Sequence, residues 1–197
     1  MSASKLAAYE DRICRHAIHP SFRIMPPASR FLACLFLLLP LSLLAASPFD
    51  GRWRLDAAHS SALDGWTTWD LVIQVDGSRV SLQHDLQWRS TKFSATNVVD
   101  TARPVTLTNF FRVEQRHAAV YPAKGGETPV RAAWLDQSRT LRVEAETPVE
   151  VSQGQTGVRI YSEYRLVEGD GALLLIELHS TRPRPLVYRF TKVPSTP

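Results

Sequence analysis

From residue 47 onward the sequence predicts an all-β chain, closed as a single antiparallel up-and-down barrel of about eight to ten strands. Three observations carry this. Apolar residues recur at every second position nearly throughout; turn signals such as Asp76-Gly77 and Gly169-Asp170-Gly171 separate short runs; and no stretch shows a convincing helical period. Consecutive hairpins with one apolar face each and no spare edge favour a barrel over a sandwich.

The first strand is read over Gly51 to Asp56, within Phe49-Asp50-Gly51-Arg52-Trp53-Arg54-Leu55-Asp56. A Gly-x-Trp pair there suggests a barrel sealed at one end by an indole. Thr67 to Val75 follows, with Trp69, Leu71, Ile73 and Val75 on one face, and turns at Asp76-Gly77, where both residues tolerate positive φ. The return strand alternates Val80, Leu82, His84, Leu86 and Trp88 with polar residues. Thr91 to Asp100 is more polar. Val105 to Glu114 has Leu107 and Phe111 on its apolar face, interrupted by Asn109, while Phe110 is assigned to the opposite face.

Ala118 to Tyr121 and Val130 to Leu135 read as paired strands around an exposed loop. After Thr140 to Thr147, Ser152 to Gly157 reads as a mobile loop. Val158 to Val167 puts Ser162 and Tyr164 on the apolar side. The run Leu173 to Leu178 suggests burial on both faces. Arg182-Pro183-Arg184-Pro185 is a connector, and Leu186 to Val193, with Phe190 inside, closes the chain.

The first 46 residues read differently. Arg30, an apolar run from Phe31 to Leu44 and the small residues Ala45-Ala46 have the order of a secretory signal peptide. The run falls short of the roughly 20 residues that span a bilayer and is broken by Pro40, so no permanent membrane span is expected. The leader before Met25 is long, and translation starting at Met25 would give an ordinary short positive n-region. The expected organisation is therefore leader 1–46, barrel 47–197, and export to a periplasmic or extracellular compartment.

Removing the leader takes five of the 23 basic but only two of the 19 acidic side chains, so the net charge of +4 falls by three. The basic balance belongs to the leader and gives no support to nucleic-acid binding. Both cysteines, Cys14 and Cys34, go with it, leaving a domain without disulfides. About 150 residues suffice for one domain, burying about 68–70% of the unfolded surface.

The opening stretch with Ser60 or Ser61 shortly after, the turn at Asp76-Gly77 and the close at Phe190-Thr191-Lys192-Val193-Pro194 resemble secreted bacterial lipocalin-like proteins. The resemblance implies a lipocalin-like barrel with a ligand cavity and names no ligand. It also implies that an Arg of the last strand covers the Trp53 indole, making Gly51, Trp53 and Arg189 a structural plug; Arg182 and Arg184 compete for that place. Pro183 and Pro185 exclude the helix that lipocalins keep before the last strand. A haem site is unsupported, because the second glycine pair of nitrobindin-type barrels is absent.

Chemistry elsewhere is sparse. His59, His84, His117 and His179 lack metal-site spacing, so no metal or other cofactor is expected. No Gly-x-Ser-x-Gly occurs, and Glu144 and Glu146 read as solvated charges, so no catalytic residue is assigned. The candidate interior is Trp69 and Leu71 from one strand, Leu82, His84, Leu86 and Trp88 from the next, then Asn109, Phe111, Tyr164 and Phe190. His84 is either a satisfied core histidine or a polar contact to a ligand, with Asn109 and Ser162 able to meet it across the barrel. The expected function is non-catalytic binding of a small apolar or amphipathic molecule inside the barrel. The alternative is an interaction module with a filled core, and an enzyme stands third.

Overall fold

The computed structural model describes residues 46–63, 65–108, 110–112, 121–122, 125–167, 169 and 171–194; the leader expectations and Asn109 lie outside them. Alternation builds the frame. In β2 (Thr68–Asp76) and β3 (Arg79–Trp88), Trp69, Leu71 and Ile73 pair across to Leu86, His84 and Leu82, all pointing inward. Gly77, at φ 58°, supplies the left-handed step between them. The outer face carries charge instead: Asp70 receives Arg52 and Arg54, each at 3.0 Å.

The remaining strands are β1 (Gly51–Leu55), β4 (Thr91–Asp100), β5 (Val105–Leu107), β6 (Tyr121–Pro122), β7 (Thr128–Leu135), β8 (Thr140–Val151), β9 (Gly154–Val167), β10 (Ala172–His179) and β11 (Leu186–Lys192). Ten of these eleven described strands follow one antiparallel order, β4-β3-β2-β1-β11-β10-β9-β8-β7-β5, with β6 attached to β8. The result is a nearly closed up-and-down barrel. Pairing of β1 with β11 joins its first and last strands, and its seam lies between β4 and β5. Loop 60–61 reinforces the β11 edge: Ser61 Oγ accepts from Val187 N–H at 2.9 Å and Ser60 Oγ from Arg189 N–H at 2.9 Å. Among the described residues the helical content is one 3-10 turn, Ala57–His59, and no helix is long and apolar enough to cross a membrane.

The core is continuous from Phe49, Trp53 and Leu173 through Trp69, Leu71 and Tyr188, all at most 1% exposed. Each such large apolar side chain contributes about 1.5–3 kcal/mol on burial.

Four expectations need correcting. The Ser152–Gly157 loop is absent: β8 and β9 pair without interruption to Val151 opposite Gly154, leaving only Ser152-Gln153 as the turn. Val149, Val158 and Ile160 bury one face of that extension against Phe110, which keeps it ordered as sheet. β5 stops at Leu107, where its ladder with β7 ends, and the chain at 110–112 runs without strand geometry, so Phe110 and Phe111 both pack on the core. β6 pairs with β8 rather than β7. Finally, β10 buries its two faces unequally: Leu173 and Leu175 are inside, whereas on the other face Leu174 and Ile176 are half-buried and Leu178 is 47% exposed.

Candidate functional site

The closed end of the barrel is built first by β1. Gly51, at φ 122°, turns the chain so that Trp53 enters the barrel fully buried, and its indole N–H donates to Phe49 O at 2.8 Å. Phe49 in turn meets Trp134 at 5.0 Å. The cation over the indole is Lys192, 4.9 Å from the ring centroid, with its Nζ donating to Pro48 O at 2.9 Å. The position expected for Arg189 is thus taken by Lys192. Strand parity explains the exchange: Tyr188 and Phe190 point inward, so Lys192 shares their side and stands opposite Trp53 in register, while Arg189 turns outward toward Asp56, 3.7 Å away.

Halfway up the barrel the lining turns polar. His84, 3% exposed, is stacked between Trp69 (centroids 5.6 Å apart) and Phe111 (4.6 Å), and neither ring nitrogen has a hydrogen-bond partner. Burial pushes its pKa down to about 3, opposed weakly by the charge of Asp85, so the imidazole is neutral. On the facing wall Ser162 Oγ donates to Glu177 Oε1 at 3.3 Å. Glu177 Oε2 makes no hydrogen bond; His179 Nε2 is 3.7 Å from it, beyond bonding distance. Tyr164 is also inside, its phenol pushed up by burial and then by the Glu177 charge. Trp69 Nε1, unlike the Trp53 nitrogen, has no acceptor.

These groups surround a void of about 10 Å³ bounded by Trp69, His84, Asn97, Arg112, Ser162 and Glu177, among others. That is room for one water. Asn97 closes it at the seam. Its Oδ1 accepts from Phe111 N–H and its Nδ2 donates to Phe111 O, both at 2.9 Å, so an amide side chain stands in for a missing ladder pair. Phe111 is thereby held over His84, and an aromatic chain continues outward through Phe93 (5.5 Å) to Trp66 (6.0 Å from Phe93). Phe93 is 42% exposed, so this row of rings reaches the surface.

Of the interior residues expected from sequence, Trp69, Leu82, His84, Phe111 and Tyr164 bound the void. Leu71, Leu86 and Phe190 are core without reaching it. Trp88 is half-buried at the end of β3, with the Arg89 guanidinium 4.9 Å over its ring. Ser162 lines the void with His84, as expected, but its hydrogen bond goes to Glu177. Asn97, Arg112, Glu177 and His179 were not singled out by sequence reasoning. For Glu177 and His179 a signal existed: both fall on the parity of Leu173 and Leu175, the inward face of β10.

A larger opening, about 740 Å³, lies on β7 to β10 and includes the outward-facing side chains of Arg131, Glu144, Glu146, Arg159, Tyr161 and Leu178. Its acids sit among arginines, Glu144 Oε1 being 3.2 Å from Arg142 Nε, consistent with solvated charge. The convergence of buried polar atoms is inside the barrel, so size alone does not locate the site.

The fold and this interior define a small antiparallel β-barrel with a polar patch enclosed in an apolar core. No family model matches the sequence, and no curated protein matches it. Among solved structures, the REP1-NXSQ fatty acid transporter is similar with a TM-score of 0.45 and 12% identity, over 75% of this chain and 97% of that one. The secretory abundant heat soluble protein 4 from Ramazzottius varieornatus is similar with a TM-score of 0.44 and 11% identity, over 75% and 96%.

Proposed function

We propose that this chain is an exported, lipocalin-like barrel that binds a small apolar or amphipathic molecule in its interior, seating the polar end of that molecule among His84, Ser162 and Glu177. Its work in this reading is binding, not bond-making. One observation carries it: both nitrogens of His84, Trp69 Nε1 and Glu177 Oε2 are buried without hydrogen-bond partners, and all three residues border one void. Buried polar groups without partners cost about 1–3 kcal/mol each, and a core with no task beyond packing is served better by apolar residues. At about 10 Å³ the void accepts one water as the barrel stands, so a ligand requires Phe111 to move off His84. The seam makes that movement local, because at Phe111 the link across it to β4 is the Asn97 amide.

The test is native mass spectrometry of the purified protein for a co-purifying small molecule, together with titration of an apolar fluorescent probe into the wild type and Phe111→Ala. A bound amphiphile, or probe binding that strengthens about tenfold or more in Phe111→Ala, supports the reading. A clean protein whose Phe111→Ala variant also leaves the probe dark ends it. The second reading, an interaction module with a filled core, is favoured by the smallness of the void and by the exposed Leu178 on the outer face, and that negative result would select it.

A further inference from the structure

The hairpin of β8 and β9 runs past its neighbour. β10 accompanies β9 only as far as Ile160, opposite His179, and Ser180 caps one residue more: its N–H donates to Arg159 O at 2.9 Å and its Oγ accepts from Arg159 N–H at 3.1 Å. Beyond Arg159, β9 continues to Gly154 with β8 on one side. On the other side no described strand pairs with it, and Gly154 to Gly157 are exposed.

Arg159 turns both its backbone groups to the β10 side, so at period two Gly157 and Gln155 turn theirs the same way, into solvent. Pro148 agrees. It lies opposite Gly157 and has no N–H to give, which suits a pair whose backbone groups point away from each other. Exposed edges are ordinarily blunted by charge, proline or a bulge. This one carries Gly154, Gln155, Thr156 and Gly157, whereas the outer edge of β8 at Val149 and Glu150 is covered by β6.

We propose that this edge is where two copies of the chain join, β9 against β9, antiparallel about a two-fold axis at Thr156. One register uses every free backbone group: Gln155 of each copy pairs with Gly157 of the other, and Thr156 faces Thr156. A shift in one direction meets Arg159, already capped by Ser180; a shift in the other meets the turn Ser152-Gln153. Side chains make the edge its own complement. Glu146 lies across Gly157, where a Cβ would stand 2.8 Å from its Oε1, so the carboxylate reaches over β9 toward the open edge. In the proposed register Gln155 of the second copy stands beside Gly157 on that same face. Its amide can donate to Glu146, once in each half of the dimer.

The contact is smaller than a standard interface, so a dissociation constant of about 10 µM to 1 mM is expected, read by sedimentation of the full chain. Gln155→Pro removes an edge N–H and no bond of the β8 ladder, and should weaken the dimer at least about tenfold. Cross-linking tests the register. In a chain carrying Cys14→Ser and Cys34→Ser, which has no other cysteine, Thr156→Cys should close a disulfide between copies on mild oxidation, because facing residues of that pair lie about 4.5 Å apart. Gln155→Cys should not, its two copies being about 8 Å apart. A chain monomeric to about 1 mM, a dimer indifferent to a folded Gln155→Pro, or equal cross-linking at 155 and 156 would each overturn the proposal. Should Gln155→Pro not fold, the sedimentation of the wild type and the two cysteine variants decide it.

Discussion

Two indoles, Trp53 in the plug and Trp69 beside the polar patch, are equally buried and treated differently. Trp53 and Trp69 are 0% and 1% exposed. Trp53 gives its N–H to Phe49 O and has Lys192 over its ring, whereas Trp69 has aromatic neighbours in Tyr188, Phe190 and His84 but no acceptor for its N–H. At the closed end the plug is satisfied in every polar atom, and that end serves the fold. In the upper barrel polar groups are buried and left short of partners, a cost that stability alone does not explain. The largest expected effect tests the first half of the contrast. Trp53→Ala should lower unfolding free energy in urea by about 3–5 kcal/mol, and a loss well under about 1 kcal/mol would remove the organising role of the plug.

The second half is tested by acid. The folded pKa of His84, about 3, lies below its ordinary 6.5 because burial disfavours the imidazolium. Between those pH values the unfolded chain holds a proton that the folded barrel refuses, so stability falls as pH falls through that window. The slope from this one group approaches about 1.4 kcal/mol per pH unit. His84→Leu should flatten the fall by up to that amount between about pH 6 and pH 4, while the carboxylates held low by their partners, Asp100 by the Ala102 N–H and Asp56 by His59, continue to weaken both proteins alike. Denaturation midpoints across this range decide it; parallel curves for the two proteins would place the His84 ring in contact with water.

How legible this was from sequence follows from the same physics. Strict alternation made β2 and β3 readable to within a residue, and with them Trp69, Leu71, Leu82, His84 and Leu86 as an inward set. The plug was readable as Gly51 and Trp53, yet its cation depended on knowing which residues of β11 face inward, and the resemblance pointed to Arg189 where parity selects Lys192. The site was half-legible for a different reason. Glu177 lies in an apolar run whose face could not be chosen until β9 and β11 were paired on either side. Asn97 was hidden because its task, bonding the backbone of Phe111 across the seam, exists only after a strand expected to reach Glu114 ends at Leu107.

The smallest effect sharpens the contrast at the closed end, where two cations of one strand can be exchanged for each other as explanations. Lys192 is exposed and lies over the Trp53 ring; Arg189 is directed to Asp56 on the outside. A cation over an indole at an exposed site contributes about 0.5–1 kcal/mol, and the bond from Nζ to Pro48 O adds a solvent-accessible hydrogen bond to it. Lys192→Met keeps the aliphatic cover and removes the charge, so it should cost about 0.5–1 kcal/mol. Arg189→Met loses one partly exposed ion pair at 3.7 Å and should leave the plug untouched. Crossing each with Trp53→Phe separates them: the Lys192 effect should shrink when the indole is replaced, and the Arg189 effect should not. Coupling of Trp53 to Arg189 instead would restore the pairing that the lipocalin-like resemblance implied and reverse the inward parity of the last strand.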